Sequence, residues 1–344
     1  MSTIEQPPPT AGAPMRSRAD IGFRFAPRYR VVWIALAALM LLTALSASEV
    51  YRTDSLSLVT ALAGVLAIAA AGQLLVIMSG GIDLSVPAVM TLAAGIVVHQ
   101  SNGLDSRLGG AIVEVILVCG LVGLINGFLV AVVRLNAMIV TLAMTGVIGG
   151  VMVLWIGTTF STTGQVAPKL VELTSERVGF LSVVAVIGIG IIVLLALLLR
   201  STAVGRSYVA AGTNRVAAEI IGVRVVWYEM AGYVLAAILY GAAGLFLAGL
   251  LTTPDFTLGD PYQLSTIIAV ALGGAALAGG PASLICTIGG CFFVALLGQF
   301  LQAKSYSGGV SQITNGVVLI LAVAMVTVGS GGRFRMLTGR LRRR

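Results

Sequence analysis

Residues 56–99 read LSLVTALAGVLAIAAAGQLLVIMSGGIDLSVPAVMTLAAGIVVH, two apolar runs parted only by the short polar stretch SGGIDLS. A helix needs about 20 apolar residues to cross the hydrocarbon core of a bilayer. Two crossings therefore use nearly all of this stretch and leave almost no chain for a loop outside the membrane. The break at Gly80-Gly81 is expected at or inside the membrane boundary. It is either a discontinuous helix aiming free backbone groups at a polar path or a tight interfacial turn. Asp83 or Ser85 can cap the helix that follows, and Pro87 fits its first turn, where a missing N–H costs nothing.

The same window applied outward places spans near 31–48, 56–78, 84–99, 109–133, 137–157, 178–199, 226–251, 263–279, 282–301 and 311–328. The expected fold is an all-α polytopic membrane protein with about ten transmembrane helices, some of them discontinuous. Composition agrees, with 58% hydrophobic residues, 10% charged residues and a mean hydropathy of +1.03, far too little polar surface for a soluble domain. The 43 glycines suit helices that approach closely where lipid supplies no drive for association, and Gly123-Leu124-Ile125-Asn126-Gly127 is one such GxxxG. Gly279-Gly280-Pro281 is a second glycine-rich break, a candidate counterpart of the first in the other half. Cys119, Cys286 and Cys291 lie within apolar stretches and read as small core residues.

Ten spans place both termini on one side, and the basic residues choose the side. Arg16, Arg18, Arg24, Arg28, Arg30, Arg134, Arg200, Arg206, Arg215, Arg224, Arg333, Arg335, Arg340, Arg342, Arg343 and Arg344 fall on one face; only Arg52, Arg107, Lys169, Arg177 and Lys304 fall on the other. By the positive-inside rule the richer face is cytoplasmic. Residues 1–30 then read as a disordered cytoplasmic tail, 31–328 as the membrane domain and 329–344 as a basic cytoplasmic tail. The net charge of +8 reports topology and contact with anionic headgroups, and no nucleic-acid partner is expected.

Ionisable residues within the spans are few: Asp83 at the break, Glu114, Glu229 and His99 near span ends. An ion-coupled carrier would ordinarily carry several near mid-membrane. The mid-span polar groups are instead neutral, namely Gln73, Asn126, Thr141, Thr145, Gln299 and Asn315. Such groups suit an uncharged polyhydroxylated solute, or serve as ordinary interhelical hydrogen bonds. The two lysines stand outside any GxxxxGK[ST] loop, so the chain has no P-loop with which to hold a nucleotide. With one histidine and no Cys/His cluster, neither a catalytic triad nor a metal site is expected, and the chain reads as a non-enzyme.

The loop 203–223, AVGRSYVAAGTNRVAAEIIGV, reads as a short amphipathic helix pair lying on the membrane or against a partner. Gly212 and Gly222 bracket its second half, and Thr213 or Asn214 can cap it. Here the chain resembles the membrane permease subunits of bacterial ABC importers of the ribose and simple-sugar branch, whose relatives import branched-chain amino acids. Residues 212–223, GTNRVAAEIIGV, look like that family's cytoplasmic coupling loop, and Ser79-Gly80-Gly81-Ile82-Asp83-Leu84-Ser85 looks like its early signature. Gly123-Leu124-Ile125-Asn126-Gly127 followed by Ile139-Val140-Thr141-Leu142 looks like a third motif. Leu272-Gly273-Gly274 with Gly279-Gly280 and Ser283 is a partial fourth.

The resemblance implies a permease subunit that pairs with a second copy or a paralogue in the bacterial inner membrane, with lipid around it. It implies an ABC ATPase subunit docked on Gly205, Gly212, Asn214, Ala217, Ala218 and Gly222, with ATP and magnesium held by that partner and no cofactor in this chain. It further implies a translocation path near Gly80, Gly81, Asp83, Ser85, Asn126 and Thr141, and a periplasmic substrate-binding protein over the 158–177 and Asp255–Asp260 loops. A sugar, ribose-like or another monosaccharide, is the implied cargo. A permease for branched-chain amino acids or another small polar solute, or an ion-coupled secondary transporter, are the alternatives.

Overall fold

The computed structural model describes residues 27–156, 164–252, 255–277 and 279–329. Both basic tails and part of the 158–177 loop therefore lie largely outside the described residues. Each of the ten apolar stretches forms a helix. In chain order the helices are α1 (Pro27–Ser46), α2 (Thr53–Met78), α3 (Val86–Ser101), α4 (Asp105–Ala131), α5 (Ala137–Ile156), α6 (Pro168–Ser175) and α7 (Val183–Ser201). They continue as α8 (Ala203–Thr213), α9 (Arg215–Ile220), α10 (Val225–Leu251), α11 (Asp260–Leu272), α12 (Leu284–Ala303) and α13 (Gly308–Gly329). A two-stranded hairpin, Arg177–Val178 with Leu181–Ser182, precedes α7.

Seven of these helices, α2, α4, α5, α7, α10, α12 and α13, are long and apolar enough to cross a membrane. The apolar parts of α1 and α3 are shorter, and α11 has 13 residues. Most helix ends lie within four residues of expectation, and two differ by more. The span placed at 263–279 is helical only to Leu272, because the chain turns at Gly273-Gly274, with Gly274 at φ +83. The span placed at 178–199 begins at Val183, where the Ser182 hydroxyl accepts the Val184 N–H and caps the helix. α6 went unpredicted.

The packing follows from the residues each helix carries. α2 is apolar all round, as expected of a helix surrounded by others, and 94% of its most apolar stretch is buried. It is flanked by α7, α10, α11 and α12, while α10 carries α3 and α4 on its other sides. Small residues set the closest crossings, as in other membrane bundles. Gly123 and Gly127 on α4 meet Tyr233, Val234 and Met230 on α10, and Gly244 on α10 lies against the Met90 backbone on α3. The GxxxG singled out in the sequence is thus a helix-packing surface. α4, α5 and α7 present leucine, isoleucine and valine outward, and α13 is the least covered, with 6% of its apolar stretch buried. The three cysteines are free and buried, as read.

Candidate functional site

The non-helical segment between α2 and α3 buries Asp83 and Ser85 within the bundle, while Gly80 at its turn is exposed. Gly80 takes φ +86, which favours glycine, and turns the chain back alongside α10, where Gly81 sits against the Tyr233 hydroxyl. Irregular backbone at this depth survives only if its polar groups are satisfied, and two threonines of α5 do this. Thr141 Oγ1 accepts the Leu84 N–H at 2.9 Å, and Thr145 Oγ1 donates to the Leu84 carbonyl at 3.0 Å. Replacing Thr141 by valine keeps the shape but orphans a buried N–H. The variant is expected to lose about 1 kcal/mol, read as a lower thermal midpoint of the purified protein in detergent; an unchanged midpoint would contradict the role given to the hydroxyl.

Asp83, 1% exposed, does not cap α3, and neither does Ser85. Asp83 Oδ1 accepts the N–H and hydroxyl of Ser85 at 2.8 and 2.6 Å, and Asn126 Nδ2 donates to Ser85 Oγ at 3.2 Å. The expected cap is replaced by a network tying the break to α4. Pro87 lies in the first turn of α3, as expected. Asn126 Oδ1 and the Tyr233 hydroxyl are buried with no hydrogen-bond partner among the described residues.

α3 starts between the levels of Tyr233 and Gly244 along α10, near the middle of that helix. Gly259, just before α11, lies against the Pro87 carbonyl and donates its N–H to Thr91 Oγ1 at 3.1 Å. From this point α11 runs the other way, ending where Gly273 packs on Thr287 in the first turn of α12. Two short helices thus meet N-terminus to N-terminus within the bundle. This convergence of positive dipole ends is the arrangement transporters place around a mid-membrane site. Beside it is a cavity of about 110 Å³ bounded by Pro87, Thr91, Thr145, Met152, Phe256 and Asp260. Nothing in the sequence marked Gly259 as buried, since it falls within Asp255–Asp260, a segment read as an external loop; Asp260 beside it is exposed.

At the other end of α2 the two breaks and the α8–α9 loop come together. A Cβ on Gly212 would stand 2.0 Å from the Met78 carbonyl oxygen, and one on Gly279 would stand 3.0 Å from the Gly212 carbonyl and 3.2 Å from Gly80. Gly280, at φ +103, donates its N–H to the Met78 carbonyl at 3.0 Å. The second glycine break is therefore in contact with the first, and Gly212 of α8 is wedged between them. Tyr208, also on α8, adds a hydrogen bond to the Leu75 carbonyl at 2.7 Å.

α9 is positioned from both sides. Asn214 Oδ1 accepts the Ala217 N–H at 3.0 Å and caps it, whereas Thr213 bonds back to Val209. Arg215 pairs with Glu219 and, through Nη1, with both carboxylate oxygens of Glu229 on α10. The residues expected to meet an ATPase divide accordingly. Gly205 packs on the end of α7, Gly212 on Met78, and Ala218 against Ala211 and Val225, so these three face the bundle. Gly222, at φ +84, turns the chain out of α9. Ala217 is exposed beside Val216, Ile220 and Ile221, which are 67%, 80% and 73% exposed. The sequence showed the loop and its cap, but not the Arg215–Glu229 tie or the inward role of Gly212, both set by residues distant in the chain or on another helix.

A family model described as branched-chain amino acid transport system / permease component matches residues 55–324. The chain belongs to this permease family. The match takes in both breaks, the α8–α9 loop and every helix from α2 to α12. Among curated proteins, the chain is 28% identical over 298 residues to the ribose import permease protein RbsC of Escherichia coli K12, covering 84% of this chain and 91% of that protein. It is 30% identical over 265 residues to the RbsC of Bacillus subtilis, covering 74% and 79%. It is 27% identical over 287 residues to the autoinducer 2 import system permease protein LsrC of Escherichia coli O9:H4, covering 83% of each. No solved structure matches. As a transport permease with several apolar helices, the chain is a multi-pass membrane protein.

Proposed function

We propose that this permease is the translocating subunit of an ATP-driven sugar importer in a bacterial inner membrane, with both termini cytoplasmic. The observation that carries the reading is the glycine junction, in which one loop bearing an outward apolar helix touches both interior breaks. An ATPase subunit, holding the ATP and magnesium, docks on Val216, Ala217, Ile220 and Ile221. Closure of two such ATPases moves α9, and the Arg215–Glu229 pair carries that motion to α10. Gly212 carries it to Met78, Gly80 and Gly279, so α3 and α11 shift together and open or close the space where their N-termini meet. A second copy or a paralogue completes the path, lipid covers the remaining apolar faces, and a periplasmic binding protein delivers solute at the opposite end, over α6 and the Asp255–Asp260 segment.

The sugar assignment is supported by the similarity to ribose import permeases and by the neutral polar groups of the interior. The branched-chain amino acid description of the family model supports a second reading, in which the same machinery carries an amino acid. Proteoliposomes containing the permease, its ATPase and its binding protein separate these readings. ATP-dependent uptake of D-ribose and not of L-leucine is expected, and uptake that persists without the ATPase would contradict the importer. In the same assay Ala217→Arg, an exposed substitution, is expected to release the ATPase and reduce uptake at least tenfold without lowering the thermal midpoint of the permease. Full uptake by this variant would remove α9 as the docking surface.

A further inference from the structure

Tyr233 stands one helical turn beyond Glu229 on the same face of α10, and Glu229 is the residue through which Arg215 ties α9 to that helix. A pull on the ion pair therefore reaches Tyr233 within one turn. Three glycines surround this tyrosine. A Cβ on Gly123 would stand 2.5 Å from the Tyr233 carbonyl oxygen, one on Gly127 would stand 3.2 Å from the Tyr233 Cβ, and one on Gly81 would stand 2.5 Å from the hydroxyl. Such surfaces let helices approach closely, and they present no side chain to catch the ring when α10 slides along α4.

Against this smooth wall two polar atoms are left over. Tyr233 and Asn126 are 2% and 0% exposed. The hydroxyl of the first, a donor, and Oδ1 of the second, an acceptor, have no hydrogen-bond partner among the described residues, so they are not bonded to each other. Asn126 is held by its other amide atom, since Nδ2 donates to Ser85 Oγ at 3.2 Å, and it adjoins Gly127, on which Tyr233 packs. A buried polar group without a partner is costly and calls for a reason. Here the two unpaired groups are complementary, and they sit on neighbouring helices, one of which is tied to the docking helix.

We propose that Tyr233 is a positioning residue of the transport cycle, whose hydroxyl donates to Asn126 Oδ1 in the conformation produced by ATPase closure and is released in the conformation described here; the inference rests on the importer reading above. An event at one site shifts a two-state equilibrium only through an interaction that differs between the states, and this bond is such an interaction. Because Asn126 also holds Ser85, forming the bond couples the position of α10 to the break at 79–85. ATP hydrolysis without the bond closes the ATPases but leaves the break where Thr141 and Thr145 hold it.

The test uses the complete importer in proteoliposomes, with D-ribose uptake and ATP hydrolysis read together, and the thermal midpoint of each purified permease variant in detergent. Tyr233→Phe is expected to lower uptake per ATP hydrolysed about fivefold, the factor that one neutral hydrogen bond supports, while the midpoint stays put because the bond is absent from the resting state. Asn126→Leu is expected to lower uptake and midpoint together, since it also loses the Ser85 bond, and Tyr233→Phe added to it is expected to lower uptake no further. Full uptake by Tyr233→Phe, in an importer whose unmodified form works, would overturn the proposal and leave the importer reading intact. An equal loss from Tyr233→Phe with and without Asn126→Leu would give the hydroxyl another partner and overturn the pairing. A midpoint that falls in step with uptake in Tyr233→Phe would mean that a buried water already binds the hydroxyl in the resting state, and would also overturn it. Uptake of L-leucine and not D-ribose by the unmodified importer is the separate failure of the sugar reading, and the same three variants compared with L-leucine then decide the pairing. Uptake that persists without the ATPase fails the importer reading and overturns this inference with it.

Discussion

Replacing Gly212 by valine is expected to reduce ATP-driven uptake more than tenfold while the ATPase remains bound and hydrolyses ATP. The Cβ alone would stand 2.0 Å from the Met78 carbonyl oxygen, inside any permissible contact, and the obstacle is backbone that cannot rotate away. The C-terminal end of α8 must retreat from α2, and the contact of Gly212 with Gly279 opens with it. Overpacking of this kind typically costs about 1–3 kcal/mol, which the bundle can survive. What it loses is the link between the docking helix and the two breaks, because Ala217, Ile220 and Ile221 point outward and still meet the ATPase. Uptake and hydrolysis measured side by side on one preparation decide the matter: hydrolysis without uptake is the expected pattern, and normal coupling would mean that the junction transmits nothing.

Replacing Gly81 by leucine is expected to be more damaging to the fold, at about 3 kcal/mol. Its Cβ would lie 2.5 Å from the Tyr233 hydroxyl, with Val76 and Ala137 at 3.2 and 3.3 Å on the other sides. Tyr233 is 2% exposed and fixed, so the segment 79–85 must leave its place between α5 and α10. The smaller Gly81→Ala meets chiefly the hydroxyl, which has no partner among the described residues. Tyr233→Phe alone should therefore be close to neutral, and it should recover most of the loss caused by Gly81→Ala. Thermal midpoints of the two single variants and the double variant measure this coupling; purely additive losses would place the break elsewhere.

The helices were legible because ten apolar stretches leave few other ways to fold in a membrane. Their ends were less so: residues 273–277, GGAAL, are apolar enough to extend a span, and hydropathy does not distinguish helix from buried irregular backbone. The first break could be read from chain length alone, since residues 56–99 hold two crossings and little else. Its role as an interior segment could not, because the partners that satisfy it, Thr141 and Thr145, lie about 60 positions away on α5. The same holds for the junction, where Met78, Gly212 and Gly279 come from three distant parts of the chain. Asn214 was readable as a cap because capping is local, whereas Asp83 and Ser85 fit the local pattern of a cap and instead bind each other and Asn126. Tyr233 gave no signal, being one of five aromatics on a largely apolar helix, with Trp227, Tyr228, Tyr240 and Phe246.

The central claim is that α9 connects this permease to an ATPase. Affinity isolation of the tagged, detergent-solubilised chain from its native membrane, followed by mass spectrometry of what remains bound, tests it most directly. A nucleotide-binding subunit that stays with the unaltered chain and is lost with Ile220→Asp is the result expected. A stable assembly of permease alone, or an ATPase that binds both forms equally, would contradict it.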